Sequence, residues 1–231
     1  MSAFVKYGRK NGQTQLHLEN TYIPKTAVKG ERVVLQPESL QKLFTSKDTC
    51  YRGKPVEDFM IYAYRFEVAT GLRPGELLAL RMDDVTDSAV FIRRSYNVHN
   101  EYTQGKNENA RRMIGLNEYA KKIIKEQKKL KLRNGIRSEL LFCNPDGGQV
   151  NQKQYYHRWV KYRTYNGLDD ASPYDLRHTF ASFIKGLSDD VLKASMGHSY
   201  SFDTRATHTH ELDGDLKRNA ELISEAFGRY L

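Results

Sequence analysis

Three short strings in this chain gather residue types suited to handling a phosphate-like oxyanion. ATGLRPGELLAL carries Arg73 in a turn bounded by Gly71 and Pro74, just ahead of a helix-forming run. SPYDLRHTFAS carries Arg177 and His178 near a helix start. MGHSYSFDTRATHTHELDGD carries His198 after Gly197, then His208 and His210 ten residues on. A guanidinium is a planar fork of donors that matches pairs of anionic oxygens and stays charged at any working pH. A single arginine is more often a surface or salt-bridge residue, so the weight lies on two of them in ordered strings. The histidines also invite a metal. Zinc sites bring three or four ligands at compatible spacings, whereas here no cysteine lies near the histidines and no metalloprotease-type histidine helix is present. Neither a metal nor a cofactor is expected.

The charge balance favours a polyanionic partner. The formal net charge is +9, and from Arg93 to Arg137 there are 13 Lys or Arg against four Glu and no Asp. Such a local excess suits a phosphate-tracking face, although a basic surface alone also serves solubility. No stretch approaches the roughly 20 apolar residues of a membrane span, and the start, MSAFVKYGRKNGQ, lacks a secretory apolar run. A cytoplasmic protein is expected, with Cys50 and Cys143 as unpaired, reduced thiols.

The elements that must position these residues follow from periodicity. Residues 1–32, punctuated by Gly8, Gly12, Pro24 and Gly30, suggest a linker or tail in which an Asn11-Gly12 turn joins two short strands. From Val33 onward one domain is expected, 33–231. Pro37 opens a helix with Leu40, Leu43 and Phe44 on one face, and Phe59 to Val68 forms a second, buried helix ending at Thr70-Gly71. A third runs through GELLALRMDDV. AVFIRRSYNV and RRMIGL then read as a small antiparallel hairpin around the polar stretch that holds Lys106. A basic helix follows with Tyr119, Ile123, Ile124 and Leu130 inside, and Gln154–Tyr165, Tyr174–Lys185 and Asp189–Met196 are helical. A C-terminal helix, 215–231, shows Leu216, Ala220, Ile223 and Phe227 along one stripe. The fold class is mainly α with a small antiparallel β-sheet.

The order, spacing and flanks of the three strings, with a lysine hairpin between the first two, resemble the tyrosine recombinases of the phage-integrase family, from about Val33 to the C-terminus. The resemblance implies the catalytic-domain fold of a DNA breaking-rejoining enzyme and double-stranded DNA as the partner. It places Arg73 and Arg177 on the non-bridging oxygens of the scissile phosphate, where preorganised donors usually supply the largest catalytic contribution. It makes Lys106 the general acid for the departing 5′-oxygen and His198 a hydrogen-bond donor or proton carrier at the phosphate. Glu76 matches an acidic position that orients Arg73; a helix N-terminal acid stabilised by the dipole is the plain alternative. His178 is given a structural role. In the family a similar C-terminal helix docks on a neighbouring protomer, linking a tetrameric synapse; packing on its own core explains the stripe equally well.

Two positions depart from the family pattern. Tyr174 stands where His or Lys is usual, and it can still donate to a phosphate oxygen. His208 stands at the position of the nucleophilic tyrosine, while Tyr200 is out of register and Tyr230 lies in the tail helix. An imidazole nitrogen sits roughly 2 Å closer to its backbone than a tyrosine oxygen, and misplacement of about 1 Å can cost a hundredfold. The expectation is therefore DNA binding with strand cleavage impaired. A non-cleaving DNA-binding relative and a type IB topoisomerase, acting as a monomer without site preference, are the alternatives.

Overall fold

The computed structural model describes residues 2–16, 32–103, 112–196 and 214–231. The chain divides into two compact units, residues 1–31 and 32–231. The first contains helix α1 (Ser2–Lys10) in place of the expected pair of strands. Asn11-Gly12 ends that helix: Asn11 N–H donates to the Tyr7 carbonyl at 3.1 Å, and Gly12 takes φ +67°. The left-handed backbone that suits a hairpin turn equally suits the residue after a helix, so the dipeptide alone does not choose between them.

The second unit is built around one wholly buried helix. Helix α2 (Pro37–Thr45), with proline in its first turn, buries Leu40 and Leu43. The strands β1 (Asp48–Tyr51) and β2 (Lys54–Glu57) form an antiparallel hairpin that the sequence reading did not anticipate. Helix α3 (Ile61–Thr70) buries all ten of its residues. A helix apolar nearly all round belongs at a centre rather than at a surface. The buried Arg65 of α3 is satisfied by the Leu43 and Ser46 carbonyls, to which it donates at 2.7 and 2.8 Å.

The helix expected across GELLALRMDDV is shorter, α4 (Pro74–Leu78), followed by a 3-10 turn at Met82–Asp84. Asp84 explains the break. Its carboxylate accepts from the Arg81 backbone N–H at 2.9 Å and pairs with Arg94, competing with a continued helix. Leu77, Leu78 and Leu80 point inward as expected.

Strand β3 (Ala89–Ile92) pairs antiparallel with β6 (Arg112–Gly115), with Ile92 opposite Arg112, while β4 (Ser95–Tyr96) pairs with β5 (Tyr102–Thr103). Helix α5 (Glu118–Arg133) is capped by the Asn117 side chain, and it is followed by α6 (Gln152–Asn166), α7 (Pro173–Phe183) and α8 (Asp189–Met196). Tyr64 of α3 packs on Tyr155, Trp159 and Tyr162 of α6, with ring centroids 5.4, 5.0 and 5.6 Å away. Burying each such aromatic contributes roughly 2–3 kcal/mol.

The final helix, α9 (Asp215–Gly228), buries Ala220, Ile223, Ala226 and Phe227. The Phe227 ring lies 6.0 Å from Phe180, 5.9 Å from Phe183 and 6.2 Å from Tyr119. The apolar stripe of α9 thus packs on the chain's own core. Cys50 and Cys143 are free thiols. Among the described residues no helix is long and apolar enough to cross a membrane.

Candidate functional site

The site begins at the end of α3. Gly71 closes that helix with φ +66°, and a Cβ there would lie 2.3 Å from the Phe180 ring. Only glycine permits both the left-handed turn and the close approach of α7. The chain then runs through Arg73, whose extended backbone caps α4, with Pro74 as the first helical residue. Glu76, one turn into α4, reaches back and accepts from the Arg73 backbone N–H through Oε2 at 2.9 Å. Its Oε1 accepts from Arg73 Nη1 at 2.8 Å. The acid is thus both an N-terminal cap and a partner for the guanidinium, so both readings of Glu76 hold.

A residue the sequence reading did not single out completes this arrangement. Arg112, the first residue of β6, donates from Nη1 to Glu76 Oε1 at 2.9 Å and from Nη2 to Oε2 at 3.0 Å. Its side chain is only 9% exposed. Burial by itself would raise the Glu76 carboxyl. The Arg112 hydrogen bonds and charge, then the Arg73 N–H and guanidinium, outweigh it and hold the group down at about 2. Glu76 is therefore ionised at every physiological pH. The available signal was strand parity, which puts Arg112 on the same face as the buried Ile114.

Arg177 comes from α7 and is 2% exposed. Its Nη1 donates to the Gly71 carbonyl at 2.6 Å, and its Nη2 donates to the Met196 carbonyl at the end of α8. It therefore ties together the α3–α4 turn, α7 and the stem of the third string. Burial lowers its guanidinium to about 10, and the charges of Arg73 and Arg112 push the same way against Glu76. It remains charged at neutral pH. These interactions put Arg73, Arg112 and Arg177 in one electrostatic neighbourhood: three guanidiniums around one ionised carboxylate, with net positive charge left over.

Arg73 is the member that faces outward, 38% exposed, and it lines a cleft of about 350 Å³ with Ser95, Gln152, Tyr156 and Tyr174. The first residues of α6 and α7, Gln152 and Pro173, also line it, so the positive ends of two helices open onto the same space. Gly75 allows this closeness: a Cβ there would fall 2.6 Å from Ser95 Oγ and 2.7 Å from the Tyr96 carbonyl. A second hollow of about 440 Å³, bordered by Asn100 and Lys153, shares Gln152 and Tyr156 with the first. Tyr174 is exposed at the rim, its ring edge-on to His178 at 5.2 Å. Arg32 Nη1 lies 2.9 Å from His178 Nε2.

Arg73, Arg177, Glu76 and Tyr174 are thus brought together. Lys106, His198 and His208 lie outside the described residues, as does the histidine cluster considered for a metal. Among the described residues no group of three or more His, Cys, Asp or Glu could hold a metal ion.

The Phage integrase family model matches residues 34–213. The chain belongs to this family. It is 29% identical over 161 residues to the prophage integrase IntR of Escherichia coli K12, a match covering 58% of this chain and 39% of that protein. It is 31% identical over 149 residues to the tyrosine recombinase XerD of Yersinia pestis, covering 62% of this chain and 46% of that protein. The chain thus spans less than half the length of these relatives. Among solved structures, the Tn1549 transposon integrase in complex with transposon right-end DNA aligns with a TM-score of 0.63 at 20% identity, over 94% of this chain and 74% of that one. A lambda integrase tetramer bound to a Holliday junction aligns with a TM-score of 0.62 at 16% identity, over 91% and 58%. The fold of this phage-integrase family member is the tyrosine recombinase catalytic domain: mainly helical, with small antiparallel sheets.

Proposed function

We propose that this chain is the catalytic domain of a site-specific tyrosine recombinase that binds double-stranded DNA and seats one phosphodiester at the guanidinium cluster. One observation carries the reading: Arg73, Arg112 and Arg177 gather around a single ionised carboxylate, Glu76, beside an open cleft. A buried excess of positive charge is costly unless an anion completes it, and a phosphodiester in transition accumulates charge on the oxygens that such forks address. In the reaction a nucleophile at position 208 attacks phosphorus. The 5′-oxygen leaves with a proton supplied by Lys106, and Arg73, Arg177, Tyr174 and His198 steady the five-coordinate phosphorus through its non-bridging oxygens. The bond energy is kept in the protein–DNA link, so no metal or nucleotide takes part.

With His208 in place of tyrosine, strand cleavage is impaired while DNA binding persists. A nicked suicide duplex, resolved on a denaturing gel, tests this. The parent chain is expected to give little covalent adduct, and His208→Tyr to restore it at that residue. An adduct at His208 in the parent overturns the impairment; a silent His208→Tyr that still binds DNA favours a non-cleaving relative. Binding should weaken steeply with salt because phosphate contacts release counterions. Self-association on DNA belongs to the same reading. The apolar stripe of α9 is occupied by its own core, which leaves Lys217, Arg218, Glu221 and Glu225 as its outward residues.

A further inference from the structure

The Glu76 carboxylate has about four lone-pair positions, and four donors fill them. Oε1 takes Arg73 Nη1 and Arg112 Nη1, and Oε2 takes the Arg73 backbone N–H and Arg112 Nη2. Arg73 therefore commits one guanidinium nitrogen, Nη1, to a hydrogen bond among the described residues, while the remainder of the group is free to face the cleft. Were Arg112 absent, two acceptor positions on Glu76 would fall vacant beside Arg73. The second nitrogen of Arg73 would then turn onto them, because a bidentate Arg–carboxylate pair is the stronger geometry. Arg73 would withdraw from the space a phosphate must occupy.

We propose that Arg112 is a positioning residue: by saturating the Glu76 carboxylate with its own fork, it keeps the Arg73 guanidinium turned outward toward the phosphate. This rests on the reading of Arg73 as a DNA-phosphate ligand. Arg112 is itself too buried to line the cleft, and its backbone is pinned in β6 opposite Ile92, so its fork is held rather than mobile. A plain cross-link between β6 and α4 would use the same contacts without affecting Arg73, and the two accounts predict different couplings.

The test uses the full chain in two variants, Arg112→Met, which removes both donors, and Arg112→Lys, which keeps the charge but not the fork. The first measurement is a carbon-13 NMR titration of the glutamate carboxyls, with Glu76 assigned by Glu76→Gln. Its midpoint is expected to rise by at least about one unit in Arg112→Met, with Arg112→Lys between it and the parent. The second is affinity for a short duplex in a double-mutant cycle with Arg73→Ala. In the parent, Arg73→Ala is expected to weaken binding roughly tenfold, as befits one charge-assisted phosphate contact. In Arg112→Met the same change should cost less than about threefold, since Arg73 has already turned away. If Arg112→Met does not fold, Arg112→Lys carries both measurements, with an intermediate loss of coupling expected. Equal effects of Arg73→Ala in both backgrounds, or an unmoved Glu76 midpoint, overturn the assignment and leave Arg112 as a cross-link. Arg73→Ala without effect on the parent's DNA affinity overturns the DNA-phosphate reading itself, and the role of Arg112 with it.

Discussion

Glu67 and Glu76 are both buried acids that feel the charge of Arg177, yet their carboxyls are shifted in opposite directions. Glu67, in the middle of α3, is 0% exposed; burial drives its carboxyl well above the ordinary value, against the Tyr155 hydroxyl donating at 2.7 Å and the more distant charge of Arg177. Its Oε1 has no partner among the described residues. Glu76, 4% exposed, holds two guanidiniums and is ionised. Burial alone thus raises an acid, whereas burial beside guanidinium forks leaves it lowered and charged. The Tyr64, Tyr155, Trp159 and Tyr162 wall around Glu67 is neutral scaffold; the cluster around Glu76 is a charged instrument facing a cleft.

The contrast is broken or sharpened by three substitutions. Glu76→Gln should have the largest effect, about 3 kcal/mol of folding stability at pH 7, from the depression of its carboxyl from 4.5 to about 2. The sign follows from that depression: the contribution is present above about pH 4.5 and disappears as pH falls toward 2. Urea unfolding of the parent should therefore weaken across that window more than that of the variant, and a parent-like unfolding curve for Glu76→Gln at pH 7 would contradict the charged-cluster account. Gly75→Ala comes next. Its Cβ would press on Ser95 and on the Tyr96 backbone, for a loss of roughly 1–3 kcal/mol by denaturant unfolding together with weaker DNA binding. Unchanged affinity would mean that the close approach of β4 to α4 does not shape the cleft. Glu67→Gln should be the mildest in cost, because glutamine still accepts from Tyr155 and removes a carboxyl that burial raises. A raised carboxyl leaves stability intact below its unfolded value of 4.5 and loses it as pH rises from there through the folded midpoint, so the variant should gain progressively on the parent above about pH 4.5. A loss at pH 7 matching that of Glu76→Gln would show that the Glu67 carboxyl is not raised and erase the comparison.

Much of the helical frame was legible because local signals agree with the tertiary outcome. α5 follows from its apolar face at Tyr119, Ile123, Ile124 and Leu130, and α7 from the SPYDLRHTF string that opens it. The hairpin β1–β2 was not legible: β2 is exposed at all four positions, so no alternation marks it. The length of α4 was misread because Leu77, Leu78 and Leu80 sustain a helical pattern while Asp84 stops the helix through contacts with Arg81 and Arg94. At the site, Arg73, Glu76, Tyr174 and Arg177 were readable from motif spacing. Arg112 was not singled out: strand parity puts it on the face of Ile114, but its partner Glu76 lies 36 positions away and only the fold brings the two together.

The sequence by itself determined the identity of the groups: which arginines, which acid, how basic the chain is, and which stretches coil into helices. These depend on residue type and on contacts a few positions apart. Only the folded arrangement set the electrostatics, because the ionisation of Glu76, the upward shift of Glu67 and the outward aim of Arg73 depend on burial and on partners from α3, α4, β6 and α7 meeting in space. Charge in a protein interior is a property of a neighbourhood, and the neighbours here are far apart along the chain.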